Sequence, residues 1–477
     1  MEFHVSLAGR GDLATRIYRQ LLDAVLDGRL RAGERLPSTR ELARRLGVSR
    51  NTVAVAYDRL TAEGFLVGRV GAGTFVCEQP LSQARPRNAP AGGGVRPRAL
   101  WESLADLAGH AEPPPYDFRV GMPDPALFPL ETWRRLIARE LRRSSLPSGY
   151  AEPAGHAGLR AAIARYVGVA RSVKAGADDI IVTQGAQQAL DIIARVLVEP
   201  GCRVAVEEPG HRPARLLLQS LGARVTGVPV DSEGLDVARL PRDARLVYVT
   251  PSHQFPLGTP MSLARRAALL DWAERNDAVV IEDDYDSEYR FEGRPLEPLQ
   301  SLDRYGRVVY VGSFSKTLLP MLRLGFLVAP ASLRPALRAA KRLTDWHGDP
   351  ISQGALASFL DEGLMARHVR RATREYAVRR TKILTGLREH LPGLLQPVPS
   401  AAGLHLCARL APDAAVDLEG VIAAAHASGV GVDSLADYCG EHPAQAGLML
   451  GYGGIRPSEI AEGLRRLAEC FTARHPH

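Results

Sequence analysis

Apolar positions near the start of the chain recur at helical spacing. Leu13, Ile17, Leu21 and Val25 follow one another at helical spacing behind Asp12, whose carboxylate suits an N-cap, and Gly28 stands where the helix should stop. Pro37-Ser38 opens a second helix over Thr39–Leu46, closed by Gly47. Ser49 caps a third that runs from Arg50 to about Glu63, with Gly64 just beyond. Two short β-like runs, Phe65–Val67 and Thr74–Val76, surround Gly71-Ala72-Gly73, which is the pattern of a glycine-tipped hairpin. The periodicity then ends. Gln79-Pro80, Arg85-Pro86-Arg87, Gly92-Gly93-Gly94 and Pro113-Pro114-Pro115 cannot sustain a packed element, although a short helix is expected around Trp101–Gly109. Beyond Tyr116, helical stretches alternate with apolar runs at Ile180–Thr183, Arg203–Glu207, Leu246–Thr250, Ala278–Asp283, Val308–Val311 and Gly325–Val328. Nearly continuous apolar strands alternating with helices predict an α/β domain with a mainly parallel sheet. The chain therefore reads as a head (1–76), a linker (77–115) and a body (116–477).

Composition narrows the classes. At 477 residues, 45% apolar and 24% charged, the chain suits a soluble protein of two or more domains. No run approaches the roughly 20 apolar residues of a membrane span, and residues 1–10 lack a signal-peptide pattern. The five cysteines are scattered, with no Cys-x-x-Cys pair, so neither a disulfide framework nor a metal site is expected, and a cytoplasmic setting is. A net charge of +7 permits a polyanionic partner without requiring one. Lysine is scarce: only Lys174, Lys316, Lys341 and Lys382 occur among 60 basic residues. Where charge alone suffices this sequence uses arginine, so a lysine in an unusual setting is a candidate for amine chemistry.

Three helices and a glycine-tipped hairpin fit a winged helix-turn-helix of the α+β class. Ser49, Arg50, Asn51 and Thr52 open the third helix, where side chains can reach base edges in a major groove. Arg50 can contact guanine in bidentate fashion; Ser49 and Thr52 suit phosphate oxygens or mixed contacts. Residues 1–76 hold 12 arginines and 8 acidic residues, an excess too small to separate DNA binding from a solvated face on a helical interaction module. The segment from Leu36 to Val53 closely resembles the GntR family of bacterial DNA-binding domains. That resemblance implies a double-stranded DNA operator as partner, with Arg40 beside the backbone and Arg69, Gly71 and Gly73 at the wing.

Four segments of the body carry candidate chemistry. In Val311-Gly-Ser-Phe-Ser-Lys-Thr-Leu-Leu-Pro-Met-Leu-Arg-Leu-Gly325, lysine can form a Schiff base with an aldehyde and arginine cannot. Ser313 and Arg323 flank Lys316 at spacings suited to a phosphate dianion. In Val279-Val-Ile-Glu-Asp-Asp-Tyr-Asp-Ser-Glu288, strand alternation sets Asp283 and Tyr285 on one face and Asp284 on the other. Either aspartate could be the functional one, or all three acids could line a solvated loop. Thr183–Asp191 follows a strand and opens a helix, so the free N–H groups of Gly185, Ala186 and Gln187 can bind a phosphate. The fourth segment, Glu207-Glu-Pro-Gly-His211, ends in a histidine that alone would read as structural.

The lysine segment closely resembles the cofactor-lysine motif of fold-type I aminotransferases, and head, linker and body together resemble the MocR/GabR subfamily of GntR regulators. The resemblance implies pyridoxal 5'-phosphate as cofactor, with Lys316 forming the internal aldimine. It also gives Asp283 the pyridinium nitrogen, Tyr285 the ring phenolate and His211 the ring face. Tyr150, in Gly-Tyr-Ala-Glu-Pro-Ala-Gly155, matches a tyrosine that reaches the phosphate of a partner subunit, which implies a homodimer. Pro251-Ser-His-Gln-Phe-Pro-Leu-Gly258 is also typical of that subfamily. Two departures stand out. Phe255 occupies the place of an asparagine that donates to the ring phenolate, and phenylalanine cannot donate. Met449 occupies the place of an arginine that clamps a substrate carboxylate, unless Arg456 replaces it. The expected function is a transcription regulator that senses the cofactor, or its external aldimine with an amine or amino acid, and changes DNA binding. The alternative is an active aminotransferase carrying a DNA-binding head.

Overall fold

The computed structural model describes residues 12–77, 94–104, 112–142, 149–293, 296–441 and 445–472. The expected linker prolines and glycines from Gln79 to Gly93, and the far end of the helix expected at Trp101–Gly109, lie outside the described residues; the near end forms a short helix, Ala99–Ser103. Backbone contacts divide the chain into two compact units, Met1–Ala105 and Asp106–His477.

In the first unit, α1 (Leu13–Leu26), α2 (Thr39–Leu46) and α3 (Arg50–Ala62) precede a hairpin of β1 (Leu66–Arg69) and β2 (Gly73–Val76). Every helix start is satisfied by the residue its sequence supplies. The Asp12 carboxylate accepts from the N–H of Ala14 and Thr15, Ser38 Oγ from Glu41 N at 3.2 Å, and Ser49 Oγ from Thr52 N at 3.1 Å. Gly47 ends α2 at φ +66°, a conformation that carries no steric cost for glycine. Each strand of the hairpin is one residue longer than the apolar pattern predicts, and both run closer to the tip, where Arg69 pairs with Gly73 across the turn. Ile17, Leu21, Leu42, Val53, Tyr57, Leu60, Leu66 and Val76 make one core, each such side chain contributing about 1.5–3 kcal/mol on burial. The Tyr57 hydroxyl donates to Pro37 O at 2.8 Å, fixing α3 against the turn that starts α2.

In the second unit the strands are β3 (Tyr116–Asp117), β4 (Ile180–Thr183), β5 (Arg203–Glu208), β6 (Arg224–Asp231), β7 (Gly234–Leu235), β8 (Ala244–Val249), β9 (Val279–Asp284), β10 (Val308–Ser313), β11 (Gly325–Val328), β12 (Leu395–Pro397), β13 (His405–Leu410), β14 (Val430–Gly431), β15 (Asp433–Ser434) and β16 (Gly447–Gly451). Eight form one sheet in the order β4-β11-β10-β9-β8-β5-β6-β7. The run β10-β9-β8-β5-β6 is parallel; β11 lies antiparallel to both its neighbours and β7 antiparallel to β6. Both faces are covered, which explains the unbroken apolar runs. Val206, Ile281, Val309 and Val311 pack with Ile193 and other helix residues on one side; Val247, Val280 and Val308 pack with Trp272 on the other. A smaller antiparallel sheet, β12-β13-β16-β15, and the parallel pair β14-β3 complete the unit. The parallel strands end side by side at Glu208, Val249, Asp284 and Ser313, and ligands of open α/β sheets bind beyond such carboxyl ends. No described helix is long and apolar enough to cross a membrane.

Candidate functional site

On the head, Ser49, Arg50 and Asn51 are exposed at the start of α3, and Thr52 is half-buried. Ser49 Oγ already serves as the cap and lies 2.7 Å from Thr52 Oγ1, which leaves the exposed Arg50 and Asn51 as the side chains free to reach outward. Arg50 Nε donates to Thr39 Oγ1 at 3.4 Å, a long contact that leaves the rest of the guanidinium available. Arg40 is exposed on α2. At the hairpin, Arg69 stacks over Phe75 at 5.0 Å, while Gly71 turns the tip at φ +75°.

In the body a cavity of about 390 Å³ opens beyond the carboxyl ends of β5, β8, β9 and β10. It is lined by Lys316, Asp283, Tyr285, His211, Ala186, Gln187, Ser313 and Arg323, residues drawn from as far apart in sequence as 186 and 323. Lys316 follows β10 directly, and its ammonium donates to Gly121 O. Burial holds its pKa below the ordinary lysine value. Asp283 stands near the end of β9, between β8, which carries Tyr248, and β10, which ends at Ser313. The Tyr248 hydroxyl donates to its Oδ2 at 2.7 Å, but its Oδ1 is buried without a partner. Burial pushes this carboxyl up to about 7.

Alternation along β9 turns Asp284 to the opposite face, where it accepts from Arg171 Nε at 2.8 Å and from the Tyr310 hydroxyl at 2.6 Å. Asp283 alone of the two lines the cavity. His211 packs edge-on to Phe255 at 5.6 Å, and burial lowers its imidazole to about 4, so it is neutral near pH 7. Phe255 contributes packing only, against Tyr285, His405 and Tyr438.

One end of the cavity is built for an anion. Ala186 and Gln187 are the first residues of the helix Ala186–Leu197, whose unpaired N–H groups and dipole favour negative charge. Gly185 caps it at φ +80°; a Cβ there would come within 3.0 Å of the Arg323 guanidinium. Arg323 in turn donates to Gln184 O at 2.6 Å, so the loop and the arginine lock together beside Ser313 and Ser315.

Tyr150 does not line the cavity of its own chain. It is 79% exposed and packs on Trp346 at 4.6 Å. Met449 is fully buried in β16 against Cys407 and Leu435, away from the cavity, while the exposed Arg456 pairs with Glu459 at 3.6 Å. Neither supplies a guanidinium to the cavity. Among the described lining residues, Arg323 and Lys316 are the cations.

Several residues in and behind the cavity lining have no role legible in the sequence. Tyr248 comes from β8, and its link to Asp283 depends on strand order rather than on local pattern. His253 and Asp286 pair at 2.9 Å, with His405 beside them; their ligand-type atoms lie within 4.8 Å of one another. His253 and Asp286 both lie in segments that the sequence marks, Pro251–Gly258 and Val279–Glu288, but the sequence gives neither a role.

Comparison with known proteins agrees with both units. Residues 13–76 match the model of bacterial regulatory proteins of the gntR family, and residues 119–432 match the model of aminotransferase class I and II. The chain is 40% identical over 463 residues to the probable rhizopine catabolism regulatory protein MocR of Rhizobium meliloti, covering 96% of this chain and 93% of that one. It is 35% identical to the transcriptional regulator TauR of Rhodobacter capsulatus, covering 98% of each. Among solved structures it resembles LysN, the alpha-aminoadipate aminotransferase of Thermus thermophilus complexed with N-(5'-phosphopyridoxyl)-L-leucine. That likeness has a TM-score of 0.69 at 29% identity, covering 79% of this chain and 95% of that one. The chain therefore belongs to the MocR-type regulators of the gntR family, in which a winged helix-turn-helix precedes an aminotransferase-like domain.

Proposed function

We propose that this regulator binds pyridoxal 5'-phosphate in the body cavity and uses it to sense an amine, an amino acid or the cofactor level itself, changing how the head binds its operator in the cytoplasm. The observation that carries this is the orphaned Oδ1 of Asp283, a buried carboxylate oxygen with no partner in a cavity that also holds the Lys316 amine. A ring N–H set against that oxygen would relieve the burial that pushes Asp283 up. Gly185, Ala186, Gln187, Ser313 and Arg323 would hold the phosphate, His211 would face the ring, and Tyr285 would serve its phenolic oxygen. When bound, the cofactor supplies an aldehyde open to primary amines and a ring that draws in electrons. Lys316, whose pKa burial lowers from the ordinary lysine value, is the amine placed to meet it. A primary amine able to take the place of Lys316 at the aldehyde would leave the lysine amine free. Such a ligand moves DNA binding only through a difference in its affinity for two conformations of the protein.

Two copies would act together, with Tyr150 of each reaching the phosphate of the other; its exposure beside Trp346 supports that use. On DNA, Arg50 and Asn51 would read bases while Arg40 and Arg69 hold the backbone. Purified protein should absorb in the near-visible range when loaded, and Lys316→Ala should abolish that band while far-ultraviolet circular dichroism is retained. A band that survives in the alanine variant would overturn the assignment.

A second function, catalysis of amino-group transfer, is favoured by the gathering of Lys316, Asp283 and Tyr285 in one cavity. The burial of Met449, where a carboxylate clamp would be needed, weighs against it. Incubation with amino acids and a keto acid separates the two: several product molecules per cavity would establish an enzyme.

A further inference from the structure

Behind Tyr285 lies a buried hydrogen-bonded group whose proton inventory can be worked out atom by atom. His253 Nδ1 is 2.9 Å from Asp286 Oδ1 and 3.0 Å from the Tyr285 hydroxyl oxygen. Its Nε2 is 3.1 Å from Ser400 Oγ. Asp286 Oδ2 accepts from Leu404 N at 3.1 Å. Burial opposes ionisation of Asp286, but His253 and this backbone donor favour the charged form, and the carboxyl lies below its usual value. An ionised carboxylate only accepts, so His253 Nδ1 must carry a hydrogen. Ser400 can serve His253 in either state of Nε2. Its hydroxyl can donate to a bare nitrogen, or accept from a protonated one while donating to Ala402 O at 3.1 Å. The hydrogen on Nδ1 is therefore common to both arrangements.

With that hydrogen shared between Asp286 and Tyr285, the tyrosine oxygen accepts from the imidazole and keeps its own O–H for another partner. The remaining surroundings hold the ring still. A Cβ on Gly403, at φ +89°, would lie 2.0 Å from His253 Cε1, so only glycine leaves room for the imidazole. His405 packs at 4.9 Å from the His253 ring, and burial lowers it to about 3, so it adds no charge near pH 7. Three of the four ring nitrogens of the two histidines are engaged, His405 Nε2 by Pro256 O at 3.1 Å. This favours a proton network over a metal centre.

We propose that His253 and Asp286 are positioning residues that fix the Tyr285 hydroxyl as a hydrogen-bond donor into the cavity. Asp286 sets the tautomer, His253 occupies the tyrosine's acceptor side, and Tyr285 is left to donate to the ring oxygen of the cofactor. Only this last step rests on the cavity being the pyridoxal-phosphate site. The logic is that of a carboxylate orienting an imidazole, with a phenol in place of a nucleophile.

Two measurements test it. The first needs no cofactor: nitrogen-15 NMR of the unloaded full chain, with His253 assigned by its loss in His253→Gln. Hydrogen on Nδ1 is expected at neutral pH; a ring protonated at Nε2 alone would overturn the proposal, as would stoichiometric zinc in the purified protein. The second follows the pH midpoint of the near-visible band of the loaded protein. The titratable groups facing the network are Glu207, Tyr248, Asp283, Asp286, His405 and Lys316, and all stay in place in Tyr285→Phe. Removing the donor should make the chromophore more basic, moving the midpoint up by about one unit, the scale of a hydrogen bond to a charged group. Asp286→Asn can donate to Nδ1 and so invert the tautomer, drawing the Tyr285 hydroxyl back to the imidazole. It should reproduce the Tyr285→Phe shift, and the double variant should shift no further. A wild-type midpoint in Asp286→Asn, or additive shifts in the double variant, would refute the coupling. A chain that takes up no cofactor but shows hydrogen on Nδ1 would fail the sensor function and leave the tautomer assignment standing.

Discussion

Asp283 shows how a single side chain links stability to ligand. In the unloaded body, burial raises its carboxyl from 3.8 to about 7, so the folded state prefers it protonated. That contribution is complete below about pH 4 and is lost as pH climbs through about 7, where the fold must hold a charge in a buried place. Asp283→Asn removes the charge and keeps the shape, so at pH 8 the unloaded variant should be the more stable by on the order of 2 kcal/mol in urea unfolding. It should also lose affinity for pyridoxal phosphate, since an amide cannot hold the ring proton as a carboxylate does. If the unloaded variant is no more stable than wild type at pH 8, the carboxylate is not strained there. At this scale the sequence was partly legible. Lys316 stood out because lysine is rare in this chain, and alternation separated Asp283 from Asp284. Nothing local could pair His253 with Ser400, 147 residues away, because that contact exists only after two sheets have packed.

Elements were more legible than residues, because caps and glycines are local physics. Asp12, Ser38, Ser49 and Gly47 were assigned from sequence as the ends of the three head helices, and each makes the predicted bond or turn. The antiparallel course of β11 was not legible, since an apolar run looks the same in either direction. Two predictions belong to elements. Arg50 extends from the start of α3, and Arg50→Ala should cost about 1–3 kcal/mol at the cognate operator and much less on unrelated DNA. Equal losses on both would make Arg50 a backbone contact. At the other site, Gly185 holds a left-handed turn against the Arg323 guanidinium. Gly185→Ala should misplace the helix N-terminus and weaken cofactor binding about tenfold or more, a loss of at least about 1.4 kcal/mol, measurable by titrating the absorbance band. Unchanged affinity would mean that this turn does not hold the phosphate.

At the level of the whole molecule, the two units have separate cores, so the proposed regulation is a free-energy coupling between them. Coupling of about 1–3 kcal/mol, typical of allosteric proteins, corresponds to a 5- to 150-fold change in operator affinity. It is reciprocal. If an amine that alters the cofactor's spectrum weakens operator binding by some factor, operator DNA must raise the half-saturating concentration of that amine by the same factor. Met449 is buried outside the cavity, and among the described lining residues Arg323 alone carries a guanidinium, which favours simple amines over α-amino acids as the stronger signals. Paired titrations should therefore show equal factors in both directions, larger for an amine than for the α-amino acid with the same side chain. Lys316→Ala should abolish both responses, because no lysine remains to be displaced. An amine that shifts the spectrum fully yet leaves operator affinity untouched, with DNA leaving amine affinity untouched in return, would show that the body carries cofactor chemistry without carrying the signal.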